Sequence, residues 1–248
     1  MIKNRKENIL GFDVCSTNKE QLLEEIMNDF EKGESLIIIN INPEIVVKNY
    51  ENDEMKKQFN DEKYQIPDGI GIVYASKIQK GRIEERITGI DFMLKICEKS
   101  SYYNGKIFLY GAKPEIAEKA KDELEKQYPD INIVGTCDGY TKEEIVINKI
   151  KDSNANILFV GLGSPKQEEF IFRNKDKLSN IKIFMPVGGS FDVISNTLKR
   201  APKWMIKANL EWLYRLLKQP QRIFRQLSIV KFIILVLLKK GEKKDGKN

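Results

Sequence analysis

The sequence contains no histidine, the side chain that titrates most readily near neutral pH. A Ser-His-Asp triad and a histidine-ligated metal are therefore excluded. It also contains no Asp-x-Asp pattern, which commonly offers paired carboxylates to a catalytic Mg²⁺ or Mn²⁺. Acid–base chemistry in this chain must use carboxylates, Tyr, Lys, Cys or the substrate itself.

Cysteine and long apolar runs are also scarce. The three cysteines, Cys15, Cys97 and Cys137, are odd in number and widely separated, so neither a disulfide framework nor a zinc site is expected. This fits a reducing cytoplasm. The first twelve residues hold no apolar segment typical of a signal peptide. The most apolar run, Leu227–Leu238, contains a lysine and is shorter than the roughly 20 residues that span a bilayer.

Charge is distributed unevenly along the chain. The net charge is +6, from 42 basic and 36 acidic residues. Residues 199–248 hold 14 of the basic and 3 of the acidic residues, which leaves 28 and 33 in the remainder. A mildly acidic body therefore carries a strongly basic C-terminal segment, and attraction to anions is local to that segment.

Short β-branched runs alternate with amphipathic segments, which predicts a Rossmann-like parallel sheet flanked by helices. The predicted strands are Leu36–Ile39, Lys106–Tyr110, Asn132–Val134, Asn156–Val160 and Ile181–Val187. The predicted helices are Lys19–Glu31, Pro43–Asn49, Ile70–Ile78, Asp91–Ser100, Pro114–Gln127, Lys142–Asp152 and Pro165–Lys177. We expect a Rossmann-like core at 1–198, a helical, basic and amphipathic appendage at 199–240, and a disordered Lys-rich tail at 241–248.

Four predicted strand-to-helix turns carry the residue types of a ligand site, since open α/β sheets bind ligands at the carboxyl ends of their strands. Glycines there can expose backbone N–H groups to a diphosphate, and Ser164 is expected to cap a helix with Gln167 completing a capping box. The alternative is that the glycines only allow tight turns and close packing. GLGSPK matches neither a Walker A loop nor a full GxGxxG. The candidate residues are Asn40, Asn42, Gly111, Gly161, Gly163, Ser164, Gln167, Gly188, Gly189 and Asp192.

Asp68 lies between a proline and a glycine, just before a predicted helix. One interpretation is a turn residue or a helix N-cap. The other is a carboxylate at a loop apex that removes a proton from a sugar hydroxyl, and the absence of histidine favours a carboxylate base. Arg86 is a candidate for stabilising a diphosphate leaving group.

Eight segments together resemble the WecG/TagA/CpsF family of bacterial glycosyltransferases, over almost the whole chain. The segments are NPEIV at 42–46, PDGIGIV at 67–73, ERITGID at 85–91, FLYGAKP at 108–114, VGLGSPKQE at 160–168, VGGSFD at 187–192, RAPKWM at 200–205 and LEWLYRLLKQPQR at 210–222.

The resemblance implies an inverting, metal-independent glycosyltransferase that needs no cofactor beyond its UDP-sugar donor. It implies transfer of N-acetylmannosamine from UDP-N-acetylmannosamine to N-acetylglucosaminyl-diphospho-undecaprenol, which starts the wall teichoic acid linkage unit. Another UDP-hexosamine or uronic acid, used for capsule or exopolysaccharide, remains an alternative. By the same match Asp68 is the base, with Asn42 beside it. The family usually has Thr where this chain has Asn40, whose carboxamide can also hydrogen-bond a sugar hydroxyl.

For the appendage, the resemblance implies that Arg215, Arg222 and Arg225 close over the active site and contact diphosphate. Their spacing would place them on one face of a helical run if Pro220 only kinks it. The apolar residues from Phe224 to Leu238, Phe232 among them, with the lysines that flank them, are expected to form an amphipathic anchor on an anionic membrane. The expected location is peripheral, on the cytoplasmic face of the plasma membrane. A homo-oligomer that dissociates or rearranges there is left open.

Two other classes explain less of the sequence. A nicotinamide-dependent oxidoreductase would need a complete GxGxxG after its first strand, and the chain has none there. A binding protein for nucleic acid or lipid surfaces would account only for the basic C-terminal segment. We therefore expect no nucleic-acid partner.

Overall fold

The protein is an α/β fold with a six-stranded parallel sheet flanked by helices, seen in a computed structural model that describes residues 5–208, 210–218 and 223–245. The strands are β1 (Lys6–Ile9), β2 (Phe12–Cys15), β3 (Leu36–Ile41), β4 (Tyr64–Pro67), β5 (Lys106–Gly111), β6 (Asn132–Cys137), β7 (Ile157–Gly161) and β8 (Ile183–Pro186). The helices are α1 (Lys19–Glu31), α2 (Pro43–Lys48), α3 (Asp53–Asp61), α4 (Ile70–Ile78), α5 (Gly89–Ser100), α6 (Ile116–Gln127), α7 (Glu143–Asp152), α8 (Lys166–Asn174), α9 (Ser190–Ile194), α10 (Lys203–Lys207), α11 (Glu211–Lys218) and α12 (Ile223–Asp245).

The sheet has the strand order β4-β3-β8-β7-β5-β6, while β1 and β2 form a separate antiparallel hairpin. Every residue of β3, β7 and β8 is buried, as expected of central parallel strands with helices on their faces. The predicted parallel sheet is therefore confirmed, and the strands that the sequence indicated all form.

Three strands, β1, β2 and β4, were missed because their residue types do not indicate a strand, and β6 was predicted too short. The hairpin β1–β2 has only four residues in each strand, with charged side chains among them. β4 reads Tyr-Gln-Ile-Pro, and its Gln65 is fully buried because its amide donates hydrogen bonds to the backbone oxygens of Phe59 and Glu62. β6 continues three residues past Val134 because pairing with β5 outweighs the low strand propensity of Gly135.

The chain divides into two compact units that are discontinuous in sequence. The larger unit holds residues 19–39 and 89–199. Its core is formed by the apolar strands β5, β7 and β8, with α5, α6, α7 and α8 among its helices. Tyr110 and Phe170 pack ring against ring, with centroids 4.8 Å apart, which joins β5 to α8.

The other unit holds residues 1–18, 40–88 and 200–248. The C-terminal helix α12 packs on α2 and α4 within it. The expected boundary between a core and an appendage near residue 199 is therefore only one of several places where the chain passes between units. α12 also continues to Asp245, beyond the expected start of a disordered tail, while residues 246–248 lie outside the described part of the chain.

Candidate functional site

Two asparagines mark the end of β3. Asn42 is the N-cap of α2, and its Oδ1 accepts a hydrogen bond from the Ile45 N–H over 3.0 Å. Its amide nitrogen has no partner among the described residues, so it can donate to a ligand. Asn40 is buried, two residues before it. The turn that the sequence indicated at Asn42-Pro43 is present, with Pro43 at the first position of the helix.

Asp68 follows the last residue of β4 and precedes α4. The N-cap of α4 is Gly69, so the interpretation of Asp68 as a helix cap is wrong. Asp68 is the residue before this N-cap, and it is half-buried. It therefore has the loop position that a base requires.

Two backbone hydrogen bonds hold three chain segments side by side at this place. The Asp68 N–H donates to the Ile41 oxygen over 2.8 Å, and the Ile87 N–H donates to the Pro67 oxygen over 2.9 Å. Asn42, Asp68 and Arg86 each adjoin one of these bonded residues. The fold thus gathers three of the predicted site residues on neighbouring segments that are far apart in sequence.

Arg86 is part of a charge cluster around a buried carboxylate, which consists of Arg86, Arg200 and Glu211. The Arg86 Nη2 lies 3.2 Å from the Glu211 Oε2, and the Arg200 Nε lies 3.9 Å from the Glu211 Oε1. The Glu211 side chain is only 6% exposed. Sequence reasoning missed Glu211, although it is the only acidic residue between Lys199 and Gly241. That isolation in a basic segment was a signal that it pairs with arginine.

In the larger unit, the ends of β5 and β7 approach closely. Gly111 has φ +131°, and a side-chain carbon there would come within 2.4 Å of the Gly161 backbone. Only glycine fits at this position. The Ala112 N–H donates to the Gly161 oxygen over 2.9 Å, and the Gly139 N–H donates to the Ala112 oxygen over the same distance. The loops after β5, β6 and β7 are therefore joined by backbone bonds.

Gln167 joins the turn after β7 to the turn after β8. Its Oε1 accepts the Gly188 N–H over 2.9 Å, and its Nε2 donates to the Glu168 Oε1 over 2.8 Å. Both side chains are buried. These bonds occupy the Gln167 amide within the protein, and its expected contact with the donor stays a prediction.

The predicted helix caps at these turns are wrong. The N-cap of α8 is Pro165 rather than Ser164, and it makes no side-chain cap bond, so there is no capping box. The Gln167 side chain bonds to Glu168 and Gly188 instead. α9 has five residues and follows Gly189 without a side-chain cap, while Asp192 is half-buried in its first turn. Gly163 and Gly188 have positive φ, at +77° and +53°.

The loop after β6 adds a residue that the sequence did not single out. Tyr140 is 73% exposed, directly after Gly139. The Asp138 carboxylate accepts hydrogen bonds from the Tyr140 and Thr141 backbones, and the Tyr140 bond does most to lower the pKa of Asp138. The tyrosine was missed because the predicted strand stopped three residues short of Cys137.

The C-terminal helix α12 has two different apolar faces. Phe232 and Val236 are buried, and the Phe232 ring lies over Gly71, where a side-chain carbon would come 3.8 Å from it. Phe232 therefore packs on the body, contrary to its expected place in a membrane anchor. The exposed face carries Leu227, Val230, Ile233, Ile234, Leu237 and Leu238. Over the described ranges, no helix is both long and apolar enough to cross a bilayer.

The three appendage arginines divide between two helices. Arg215 lies in α11 and Arg225 in α12, while Arg222 lies outside the described residues, as does Pro220. Their expected contact with diphosphate stays a prediction. Among the residues that the structure describes, no three His, Cys, Asp or Glu side chains are grouped as metal ligands.

Comparison with known proteins finds one family model over residues 7–246, described as the glycosyl transferase WecG/TagA/CpsF family. Relatives called N-acetylglucosaminyldiphosphoundecaprenol N-acetyl-beta-D-mannosaminyltransferase are similar over most of the chain. The one from Bacillus subtilis (strain 168) is 37% identical, over 84% of this chain and 81% of its own. The one from Staphylococcus aureus (strain MRSA252) is 35% identical, over 98% and 96%.

Proposed function

Because this chain belongs to the WecG/TagA/CpsF family of glycosyltransferases, we propose that it transfers N-acetylmannosamine from UDP-N-acetylmannosamine to N-acetylglucosaminyl-diphospho-undecaprenol. The names of its relatives support this acceptor and this sugar. The product would enter the linkage unit of wall teichoic acid. The structural observation that carries the proposal is the pair of backbone bonds that gathers Asn42, Asp68 and Arg86.

We assign Asp68 as the general base of a single inverting displacement. Its carboxylate takes the proton of an acceptor hydroxyl while that oxygen forms a bond to the anomeric carbon of the donor. The bond between that carbon and the β-phosphate oxygen breaks, and the electron pair leaves with UDP. The position of Asp68 outside α4 supports this role, because its carboxylate is not used as the helix cap.

The negative charge that develops on UDP needs cations or N–H donors. Arg86 supplies a guanidinium, whose planar fork suits phosphate oxygens. The Asn42 amide is a donor for a sugar hydroxyl. No step of this proposal requires a metal ion.

We place the donor at the carboxyl ends of β5, β7 and β8. The joined loops around Gly111, Gly161 and Gly188 support this, since they bring backbone close together at the sheet edge where such folds bind ligands. Tyr140 offers an exposed ring for stacking on the uracil base, and Asp192 offers a carboxylate for ribose hydroxyls.

We also propose that the enzyme is peripheral, on the cytoplasmic face of the membrane. The exposed apolar face of α12 and the lysines near its C-terminal end support this, because such helices lie in the interface of an anionic leaflet. The lipid-linked acceptor is in the same interface. An arrangement of this kind would bring a water-soluble donor to a lipid-bound sugar.

The test is transfer from purified donors to synthetic N-acetylglucosaminyl-diphospho-polyprenol, followed by mass spectrometry and by NMR of the new anomeric centre. We expect UDP-N-acetylmannosamine to be used at least tenfold better, in kcat/KM, than UDP-N-acetylglucosamine or a UDP-uronic acid. The product should have the inverted configuration. Preference for another donor would indicate that the protein acts in the synthesis of a different envelope glycan. A product with the retained anomeric configuration would contradict the single displacement.

A further inference from the structure

We propose that Glu211 is a positioning residue for the transfer reaction, which holds the Arg86 guanidinium in its working orientation. This rests on the function proposed above, in which Arg86 balances charge on the leaving diphosphate. Glu211 begins α11, whereas Arg86 precedes α5, so the contact joins two distant parts of the chain within one unit. No motif of the sequence connects the two residues.

The burial of both side chains restricts the geometry of the Glu211–Arg86 pair. The side chains of Glu211 and Arg86 are 6% and 17% exposed. A buried carboxylate needs a cationic partner, because leaving it unpaired is strongly destabilising. Arg86 is the nearer partner of Glu211, at 3.2 Å against 3.9 Å for Arg200, and this contact restricts the positions of its guanidinium.

The backbone beside Arg86 is fixed as well. The Ile87 N–H donates to the Pro67 oxygen, next to Asp68. The backbone bond determines where the Arg86 side chain starts, and Glu211 determines where its charged end lies. Both constraints are needed, because a long arginine side chain on a fixed backbone still has many rotamers.

The contact between Arg86 and Glu211 is made by one atom of each side chain. The Arg86 Nη2 meets the Glu211 Oε2, and Nη2 is one of three nitrogens in a guanidinium that carries five N–H donors. A residue that orients Arg86 through one of these nitrogens can therefore be essential for turnover without touching substrate.

The contact also makes the site dependent on the C-terminal segment. Arg200 and Glu211 both belong to that segment, and both reach the same cluster as Arg86. Docking of the segment would therefore complete the orientation of Arg86. This assigns a positioning role to α11 that is separate from any contact of Arg215 with diphosphate.

The experiment compares kcat, donor KM, UDP affinity and unfolding midpoint for Glu211→Gln, Glu211→Asp and Arg86→Lys. Glu211→Gln keeps the shape and removes the charge, while Glu211→Asp keeps the charge and withdraws it by one methylene. We expect each Glu211 variant to lose about 30- to 100-fold in kcat, since misplacement by about 1 Å can cost about 10²-fold. Donor KM should change less than threefold, because the charge on the leaving group develops in the transition state. Asp53→Asn, which breaks an exposed ion pair in the same unit, is the control and should match the wild type.

Two further variants separate positioning from stability. The exchange Arg86→Glu with Glu211→Arg is made together with Arg200→Gln, so that no second guanidinium faces the new arginine. A purely structural pair would then recover both stability and activity relative to Arg200→Gln alone, whereas we expect recovery of stability alone. Adding Glu211→Gln to Arg86→Lys should cost less than threefold more in kcat, because both changes act through one guanidinium.

Each result bears on the proposal. Wild-type kcat in Glu211→Asp or Glu211→Gln would overturn it, as would activity restored by the exchange, or additive losses. If Glu211→Gln fails to fold, Glu211→Asp and the exchange decide. Wild-type kcat in Arg86→Lys together with Arg86→Ala would instead overturn the proposed role of Arg86 itself.

Discussion

The N–H of Asp68 donates to the carbonyl oxygen of Ile41 over 2.8 Å, one residue before the asparagine that caps α2. This bond ties the candidate base to the neighbouring strand end by backbone alone. A change of the Asp68 side chain should therefore leave the loop in place, which makes the residue suitable for a chemical test.

Asp68→Asn is expected to lower kcat by about 10²–10⁴-fold, because the amide cannot accept the proton of the acceptor hydroxyl. The unfolding midpoint and UDP affinity should be retained, as measured by thermal shift and calorimetry. Asp61→Asn is the matched control, since Asp61 is exposed at the end of α3 in the same unit. A variant at Asp68 with wild-type turnover would remove this residue from the mechanism.

Gln167→Ala is expected to weaken UDP binding and destabilise the fold by about 1–3 kcal/mol, because the Gly188 N–H loses its acceptor. Calorimetry with UDP and chemical denaturation measure the two effects. Gln127→Ala makes the same chemical change at an exposed position of the same unit and should alter neither. Unchanged UDP affinity in Gln167→Ala would mean that the turn after β8 does not bind the donor.

The two faces of α12 should respond differently to substitution. Ile233→Glu with Leu237→Glu, on the exposed face, should reduce binding to anionic phosphatidylglycerol vesicles and leave the unfolding midpoint within about 2 °C of the wild type. Phe232→Ala should instead destabilise the protein by about 3–5 kcal/mol, because it opens a cavity over Gly71.

High salt should weaken vesicle binding, since lysines near an anionic surface each contribute about 1 kcal/mol. Wild-type vesicle binding by the double glutamate variant would show that this face does not contact lipid. Neutral vesicles serve as the control for the electrostatic part.

Transfer should persist in excess EDTA, because the proposed mechanism uses Arg86 and backbone N–H groups to balance the diphosphate charge. Initial rates with EDTA, and after addition of Mg²⁺ or Mn²⁺, measure this. Loss of transfer on chelation that either metal restores would contradict the metal-free mechanism.

The lowered pKa of Asp138 predicts that the stability contributed by the loop that carries Tyr140 depends on pH. Backbone donation from Tyr140, followed by bonds from Thr141, keeps its folded pKa below the ordinary value of 3.8. The stabilisation is therefore complete above that value and is lost as the pH falls through the lower, folded pKa. Asp138→Asn should lower the unfolding midpoint at pH 7, and the difference from the wild type should shrink toward pH 2. An equal difference at both pH values would contradict this assignment.

The parallel sheet and most helix boundaries could be predicted because they depend on local patterns. The run Leu36–Ile39 is apolar throughout, and a segment of this kind is stable only when buried on both faces. Pro67 and Gly69, on either side of Asp68, likewise indicated a loop before a helix. β4 could not be predicted, since the amide nitrogen of its buried Gln65 donates to backbone oxygens of α3 and of the residue after it, which lie outside the strand.

The sequence by itself determined the residue types of the candidate site and the basic, amphipathic character of its C-terminal segment. The absence of histidine also limited the base to a few groups. Only the tertiary structure decided which of these residues meet: Glu211 beside Arg86, Gln167 against Gly188, and Phe232 over Gly71. Such contacts form between residues that are far apart in sequence and are brought together by packing. Local periodicity therefore does not predict them.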